Sequence, residues 1–259
     1  MANNFSDAIN YYLFESGAEL TDGAGSSNLT EYNTPGYETG TPIEGAKSPN
    51  LDNASAECFY VSDSNLPTTN PLKSTSSEDE LSISVLIYPH LDTALVRGII
   101  CKYDSTSNKR TLRVTQNGTK CEIYIGYTGG VNTELLRAGS NGEIPKNKKL
   151  HIGFTYKYST KAWTLRIYNV TDSSELLNTS GNTTNTMSVD DSPLCIGSYF
   201  LSGTPATASW DGQIDEVVIW DAIKTSTDWD AIIGGTYGST GVASTVIPIL
   251  LNLYRQRRA

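Results

Sequence analysis

From residue 11 to residue 221 the chain repeats one device. A run of five to eleven residues rich in Val, Ile, Leu and Tyr is closed by a cluster of Ser, Thr, Asn, Gly or Pro. The runs are YYLFE (11–15), ECFYVS (57–62), LSISVLIYP (81–89), VRGIICKY (96–103), RTLRVTQ (110–116), KCEIYIG (120–126), KLHIGFTYK (149–157), WTLRIYNV (163–170), PLCIGS (193–198) and DGQIDEVVIWD (211–221). Several alternate apolar and polar residues, the period of a strand with one buried face. In WTLRIYNV this sends Trp163, Leu165 and Ile167 one way and Thr164, Arg166 and Tyr168 the other. Asn117-Gly118, between RTLRVTQ and KCEIYIG, predicts a hairpin. The stretches 21–28, 62–77 and 178–192 read as loops. So many short strands in one uninterrupted pattern predict an all-β, two-sheet antiparallel sandwich rather than a helical or α/β fold.

One helix is expected. TSTDWDAII (225–233) offers Ser226 or Thr227 as N-cap, Asp228 and Asp230 in the first turn, and Trp229, Ile232 and Ile233 on one face before Gly234-Gly235. No repeat of solenoid or propeller length is visible. The formal charge of -9, with 28 acidic against 19 basic residues and no basic stripe, argues against nucleic acid as the main partner. No run reaches the roughly eighteen apolar residues of a membrane-spanning helix. MANNFSDAINYY lacks the basic and apolar regions of a secretory signal, which predicts a leaderless chain. Cys58, Cys101, Cys121 and Cys195 show no zinc spacing. Two disulfides can be drawn among them, but free thiols acting as small buried hydrophobes are the simpler expectation.

Ordered pieces of the chain resemble laminin G-like, concanavalin A-type jelly-roll domains over roughly residues 10–235. YLFESGAELTDGAGSSNLT (12–30) is similar to their opening strand and acidic, Gly-rich turn. ELSISVLIYPHLDTALVRGIICKYD (80–104) resembles their central strand pair, with Ile87 where Trp is usual. LHIGFTYKYSTKAWTLRIYN (150–169) and PLCIGS…WDGQIDEVVIWDAIKTSTDWDAI (193–232) resemble the closing half, Leu150-His151 standing for the usual Trp-His. The resemblance implies a jelly-roll domain over 1–235 and leaves 236–259 as a Gly-rich linker and tail.

The same superfamily contains glucanases, whose strand G-E-I-D-x-x-E carries the catalytic carboxylates. A retaining glycosidase needs two carboxyls about 5–5.5 Å apart. Here Gln213 stands at the nucleophile position, Val217 is expected on its face, and Asp215 and Glu216 are expected to alternate faces. With only His90 and His151 in the chain, and no P-loop, GxGxxG or HExxH, the expectation is a non-catalytic protein. His151 reads as a strand residue with a satisfied hydrogen bond. The resemblance also implies one structural calcium ion, with Asp22, Asn28 and Asp215 as candidate side-chain ligands and Gly23 and Gly25 freeing backbone carbonyls. A plainer reading makes Asp22 a turn cap and Asp215 an acceptor of backbone amides.

Stacking on a sugar would need exposed rings. Tyr127, Tyr156, Tyr158, Tyr168, Tyr199, Phe200 and Trp210 are available, yet strand tyrosines are ordinarily cross-strand partners, and no subset stands out. The tail VASTVIPILLNLYRQRRA combines an apolar run with Arg255, Arg257 and Arg258. Ile247, Ile249, Leu250, Leu251 and Leu253, with those arginines, are the expected partner-docking residues. A clip onto the chain's own sandwich and a membrane-surface anchor remain alternatives. Together these features predict a virion surface protein, a capsid decoration or fibre assembled in the host cytoplasm. It would attach to other virion proteins through the tail, belong to an oligomeric assembly and adhere to host glycans. The rival expectation is a calcium-dependent lectin module at a cell surface or outside the cell.

Overall fold

The computed structural model describes residues 3–25, 27–206 and 209–238. In chain order the first strands are β1 (Asn10–Tyr12), β2 (Thr30–Tyr32), β3 (Gly36–Glu38), β4 (Ser48–Leu51), β5 (Cys58–Val61) and β6 (Glu80–Pro89). The long central strands follow: β7 (Val96–Asp104), β8 (Lys109–Asn117), β9 (Lys120–Tyr127), β10 (Asn132–Arg137), β11 (Leu150–Lys157), β12 (Ala162–Asn169) and β13 (Ser174–Asn182). The chain then forms β14 (Leu194–Ile196), β15 (Phe200–Leu201), β16 (Thr204–Pro205), β17 (Gly212–Trp220) and the helix α1 (Ser226–Ile233). Sheet A runs β13-β12-β11-β6-β17-β4-β3, with β1 also on β17, and sheet B runs β10-β9-β8-β7-β14-β5-β2, with β15 also on β7 and β16 on β15. The fold is the expected antiparallel jelly-roll sandwich with one short helix.

Period-two alternation builds the core. On β6, Leu81, Ile83, Val85 and Ile87 enter the main core, while Ser82 and Ser84 face outward and are buried by other elements. On β12 the predicted inward set Trp163, Leu165 and Ile167 is the one observed. The β8–β9 hairpin forms as expected: Asn117 pairs with Lys120, and Gly118 takes φ +62°, a left-handed turn that glycine adopts without strain. All four cysteines are free and buried.

The loop expected over 178–192 is overturned in its first part. Residues to Asn182 form β13, an edge strand paired with β12, although its sequence SELLNTSGN is mostly polar and has no buried residue. The helix is capped earlier than expected, one residue before Ser226 and two before Thr227. Thr225 is the N-cap, its Oγ1 accepting the Asp228 amide while Asp228 accepts the Thr225 amide at 2.7 Å, a closed capping box.

The outer face of sheet A carries a second apolar cluster around Phe5, Trp220, Trp229 and Ile232. Helix α1 lies here, with Trp229 seated over Gly153, where any β-carbon would come within 2.9 Å of the indole. Tyr237 belongs to this cluster. It is 7% exposed, lies against Phe5 with ring centroids 5.7 Å apart, and donates its hydroxyl to Asp7 Oδ2 at 2.6 Å. The packing of the domain therefore reaches two residues past 235, to Tyr237. The chain is still packed at Tyr237 because an aromatic ring buried against two others is worth more than leaving it in a linker. Residues 239–259, which include Ile247, Ile249, Leu250, Leu251, Leu253, Arg255, Arg257 and Arg258, lie outside the described residues.

His151 sits under α1, with Nε2 2.9 Å from Ser84 Oγ and its ring 5.7 Å from that of Trp229. Burial pushes its pKa down to about 3, and the nearby Arg166 acts in the same direction. Above about pH 6.5 the ring is neutral in both folded and unfolded chains. As pH falls from there toward 3, the unfolded chain binds a proton that the folded chain refuses, so stability is lost across that window. Between about pH 7 and pH 4.5 the expected loss from this group is about 2–3 kcal/mol. Urea unfolding at the two pH values should show a shallower dependence for His151→Gln; an equal slope in both proteins would remove His151 as the cause.

Candidate functional site

Two features stand outside the packing core. One is the outer face of sheet B. Leu112, Val114, Ile123 and Ile125 point into the main core, so their strand neighbours Arg113 and Tyr124 point outward. Arg113 on β8 is paired directly with Tyr124 on β9 and with Cys101 on β7. Its guanidinium carbon lies 4.4 Å from the Tyr124 ring centroid, 4.9 Å from that of Tyr103 and 5.5 Å from that of Tyr199. Tyr103 and Tyr199 meet edge to face, with centroids 6.2 Å apart. Toward the sheet edge, Tyr60 and Phe200 make a second edge-to-face pair at 5.7 Å. Glu122 lies alongside, its carboxylate accepting from Asn117 Nδ2 at 3.0 Å and from the Tyr124 hydroxyl at 3.4 Å. The result is a row of rings, with Tyr103 and Phe200 buried and Tyr60, Tyr124 and Tyr199 half-buried, around Arg113; Arg110 also lies 5.9 Å from the Tyr103 ring centroid, and the sheet face is partly open to solvent at Arg113, Tyr124 and Tyr199.

Of the seven aromatics noted in the sequence, only Tyr199 and Phe200 belong to this face. Tyr156 is fully buried, as is Trp210, both in the main core. Arg113, Tyr103 and Tyr124 carry no signal in the sequence that sets them apart from other strand residues. The i, i+2 alternation in RTLRVTQ and KCEIYIG places Arg113 and Tyr124 outward, but their juxtaposition depends on register across two strands.

The other feature is a cavity of about 300 Å³ on the outer side of sheet A, lined by Glu15, Glu44, Lys149, Asp215 and Glu216 among others. Asp215 and Glu216 do not alternate faces as expected. A bulge between Asp215 and Val218, with Glu216 at φ +43°, breaks the period of β17 and turns both carboxyls toward the cavity. It also sends Val217 into the main core, away from the face of Asp215. Asp215 is 1% exposed; Oδ1 accepts the Glu216 amide at 2.8 Å, and Oδ2 has no hydrogen-bond partner among the described residues. Burial pushes the Asp215 carboxyl well above the usual range, and the charges of Glu216, Glu15 and Glu44 add to this against the amide bond. Burial also raises Glu216, to about 7, with Glu44 next in effect. Lys149 lies beside them but donates to Glu44 at 2.5 Å.

The residues expected to hold calcium are not brought together. Asp22 is buried with its oxygens accepting from Asn10 Nδ2 (2.6 Å) and from the amides of Tyr11 (3.0 Å), Ala24 (3.1 Å) and Ser27 (3.3 Å). Those bonds occupy the four acceptor sites of a carboxylate. Asn28 Oδ1 takes the Asp22 amide at 3.0 Å, and neither residue lines the cavity of Asp215. Asp22 and Asn28 staple the loop, and the trio does not fit a calcium ion. Asp215 alone of the three offers a free buried oxygen. Around it no three His, Cys, Asp or Glu side chains among the described residues are gathered for a metal as they stand.

Gln213 is held by Ser48, whose Oγ donates to its Oε1 at 2.6 Å. An amide at this position cannot form a glycosyl ester.

Residues 62–228 match the profile described as concanavalin A-like lectin/glucanases superfamily. A search of curated protein sequences found no match. Among solved structures, the fold is similar to domain 4 of an extracellular arabinanase from Geobacillus stearothermophilus in complex with arabinotriose. That similarity has TM-score 0.58 and 14% identity, and covers 89% of this chain and 98% of that one. It is similar to the binding domain of Paraclostridial Mosquitocidal Protein 1 (TM-score 0.63, 14% identity, 88% of this chain and 52% of that one). It is also similar to the enzymatically active domain of bacteriophage CBA120 tailspike protein 2 (TM-score 0.56, 14% identity, 92% of this chain and 31% of that one). The chain thus spans about half of the toxin binding domain and about a third of the tailspike domain. The matched profile, the two-sheet topology and the closing strand with its capped helix agree: this chain belongs to the concanavalin A-like lectin/glucanase superfamily.

Proposed function

We propose that the chain is a non-catalytic carbohydrate-binding domain that takes a glycan on the outer face of sheet B. The observation that carries this is the aromatic row around Arg113, with rings at 4.4, 4.9 and 5.5 Å from one guanidinium on an open face. Tyrosine rings supply flat apolar surface for a sugar face, and hydroxyls and the guanidinium supply direction. Gln213 at the nucleophile position, tied to Ser48, supports the non-catalytic part. Display on a virion, through residues 242–259 docked on a neighbouring virion protein, completes the reading; what supports it is the apolar and arginine-rich composition of that segment. A glycan array probed with the full chain should give reproducible binding. Tyr124→Ala should weaken it by about 2–10-fold, the size of one lost ring contact. An array without binders would refute the reading.

We further propose that the Asp215 cavity holds a structural calcium ion. Asp215 and Glu216 would hold it, with Glu15 and Glu44 adding negative charge, and backbone carbonyls and water completing the six to eight oxygens calcium wants. The support is the unpartnered, fully buried Asp215 Oδ2 facing into an acidic cavity. Calcium at about a hundred times its Kd should add about 2.7 kcal/mol. At the roughly 2–4 °C per kcal/mol of a domain this size, the melting temperature should rise by about 5–10 °C. Chelator should reverse the rise and Asp215→Asn should abolish it. A melting curve unmoved by calcium and chelator would rule the ion out.

A further inference from the structure

We infer that the Arg113 site selects carboxylate-bearing sugars, an inference that rests on the glycan-binding reading above and names its ligand class. The other described arginines are committed elsewhere. Arg137 pairs with Glu143, and Arg166 with Glu175 and Asp230. Arg97 and Arg110 donate to loop carbonyls. Arg113 alone among them has neither a carboxylate within ion-pair distance nor a carbonyl acceptor. Its polar company is the Tyr124 hydroxyl, and its Nε is buried with no partner.

Three tyrosine rings hold the guanidinium in place, and of its five N–H donors only one can be met by the Tyr124 hydroxyl. Stacking on aromatic faces leaves the fork of donors free, and that fork matches a carboxylate in two parallel bonds. Glu122, on the neighbouring strand beside Tyr124, is engaged by Asn117 and Tyr124. An arginine prepaid in conformational entropy by its ring neighbours, and lacking an anion, lacks the one group that a neutral sugar cannot bring. The chain's net charge of -9 and its lack of a basic stripe weigh against an extended polyanion. A single uronic or sialic acid residue, with a pyranose face for Tyr124 or Tyr199 and one carboxylate for Arg113, fits both facts.

The test is calorimetric titration of the full chain with matched pairs, 3′-sialyllactose against lactose and trigalacturonic acid against maltotriose, beside an array of neutral and acidic glycans. At least one acidic probe should bind more than tenfold tighter than its neutral match. That preference should be lost in Arg113→Gln and weakened by added salt, with the melting temperature of the variant close to wild type. The two acidic probes separate a sialic from a uronic acid ligand. Arg113→Lys keeps the charge but not the fork, and should recover only part of the affinity. Equal binding of neutral and acidic partners, or acidic binding indifferent to Arg113→Gln, would overturn the inference and leave the glycan reading standing. No binding to any glycan on the array would overturn both.

Discussion

Replacing Lys102 by methionine is expected to lower the unfolding free energy by about 3–5 kcal/mol, because two buried aspartates lose their counter-charge. Lys102 is completely buried. Its Nζ lies 3.0 Å from Asp63 Oδ1 and 3.8 Å from Asp190 Oδ1, and donates to the carbonyl oxygens of Ser192 at 2.7 Å and of Asp190. Burial pulls the ammonium's pKa down, and the two aspartates oppose that pull. Methionine has the length but none of the donors, so two carbonyls and two carboxylates lose the ammonium together, the carboxylates keeping only their bonds from Ser74 and Ser192. Urea denaturation of wild type and Lys102→Met at neutral pH reads the difference. A second variant in which Asp63 and Asp190 also become Asn should recover part of the loss. A cost below about 1 kcal/mol would mean the aspartates are hydrated in the variant and the pair adds little.

Trp220→Ala should cost about 3–5 kcal/mol, the range for a large aromatic deleted from a packed site. Trp220 is fully buried on the outer side of sheet A, edge-on to Phe5 at 5.9 Å, Trp229 at 6.2 Å and Tyr237 at 5.8 Å. Its Nε1 donates to Asp7 Oδ1 at 3.1 Å. The ring therefore joins the N-terminal segment, the closing strand, the helix and the segment after it. Its loss should release residues 3–9 and 226–238 as well as lower stability. The near-ultraviolet circular dichroism should fall, and limited proteolysis should cut near residues 3–9 and 226–238 before the sheets unfold. If proteolysis still begins elsewhere, in the exposed loops of sheet B, these two segments are held by contacts other than Trp220.

Most of the fold was legible because it rests on a local rule. A side chain on a strand faces the opposite way from its neighbours, so LSISVLIYP, RTLRVTQ, KCEIYIG and WTLRIYNV announce their core faces without any knowledge of partners. The same rule failed where a strand owes its existence to its neighbour. β13 is mostly polar, has no buried residue and no hydrophobic period; it is a strand because β12 offers a free edge to pair with. The rule failed again at Glu216, where one bulged residue shifts the period and turns Asp215 and Glu216 to a common side.

The sequence by itself determined the class of fold, the placement of the long strands, the capped helix, the burial of the cysteines and the mismatch of Gln213 with a glycosidase nucleophile. Each of these depends on residue types within a few positions of one another. Only the tertiary structure decided which charged groups meet. Asp22 was spent on loop amides and Asp215 was left with a free oxygen. Lys102 was drawn between Asp63 and Asp190, which lie 39 residues before it and 88 after it in sequence. Arg113 was set among Tyr103, Tyr124 and Tyr199, drawn from two neighbouring strands and a distant loop. Such meetings are fixed by strand register and sheet order, in which a slip of one residue would send every side chain on a strand to the opposite face. Register is a property of pairs of strands, so no single run of residues encodes it.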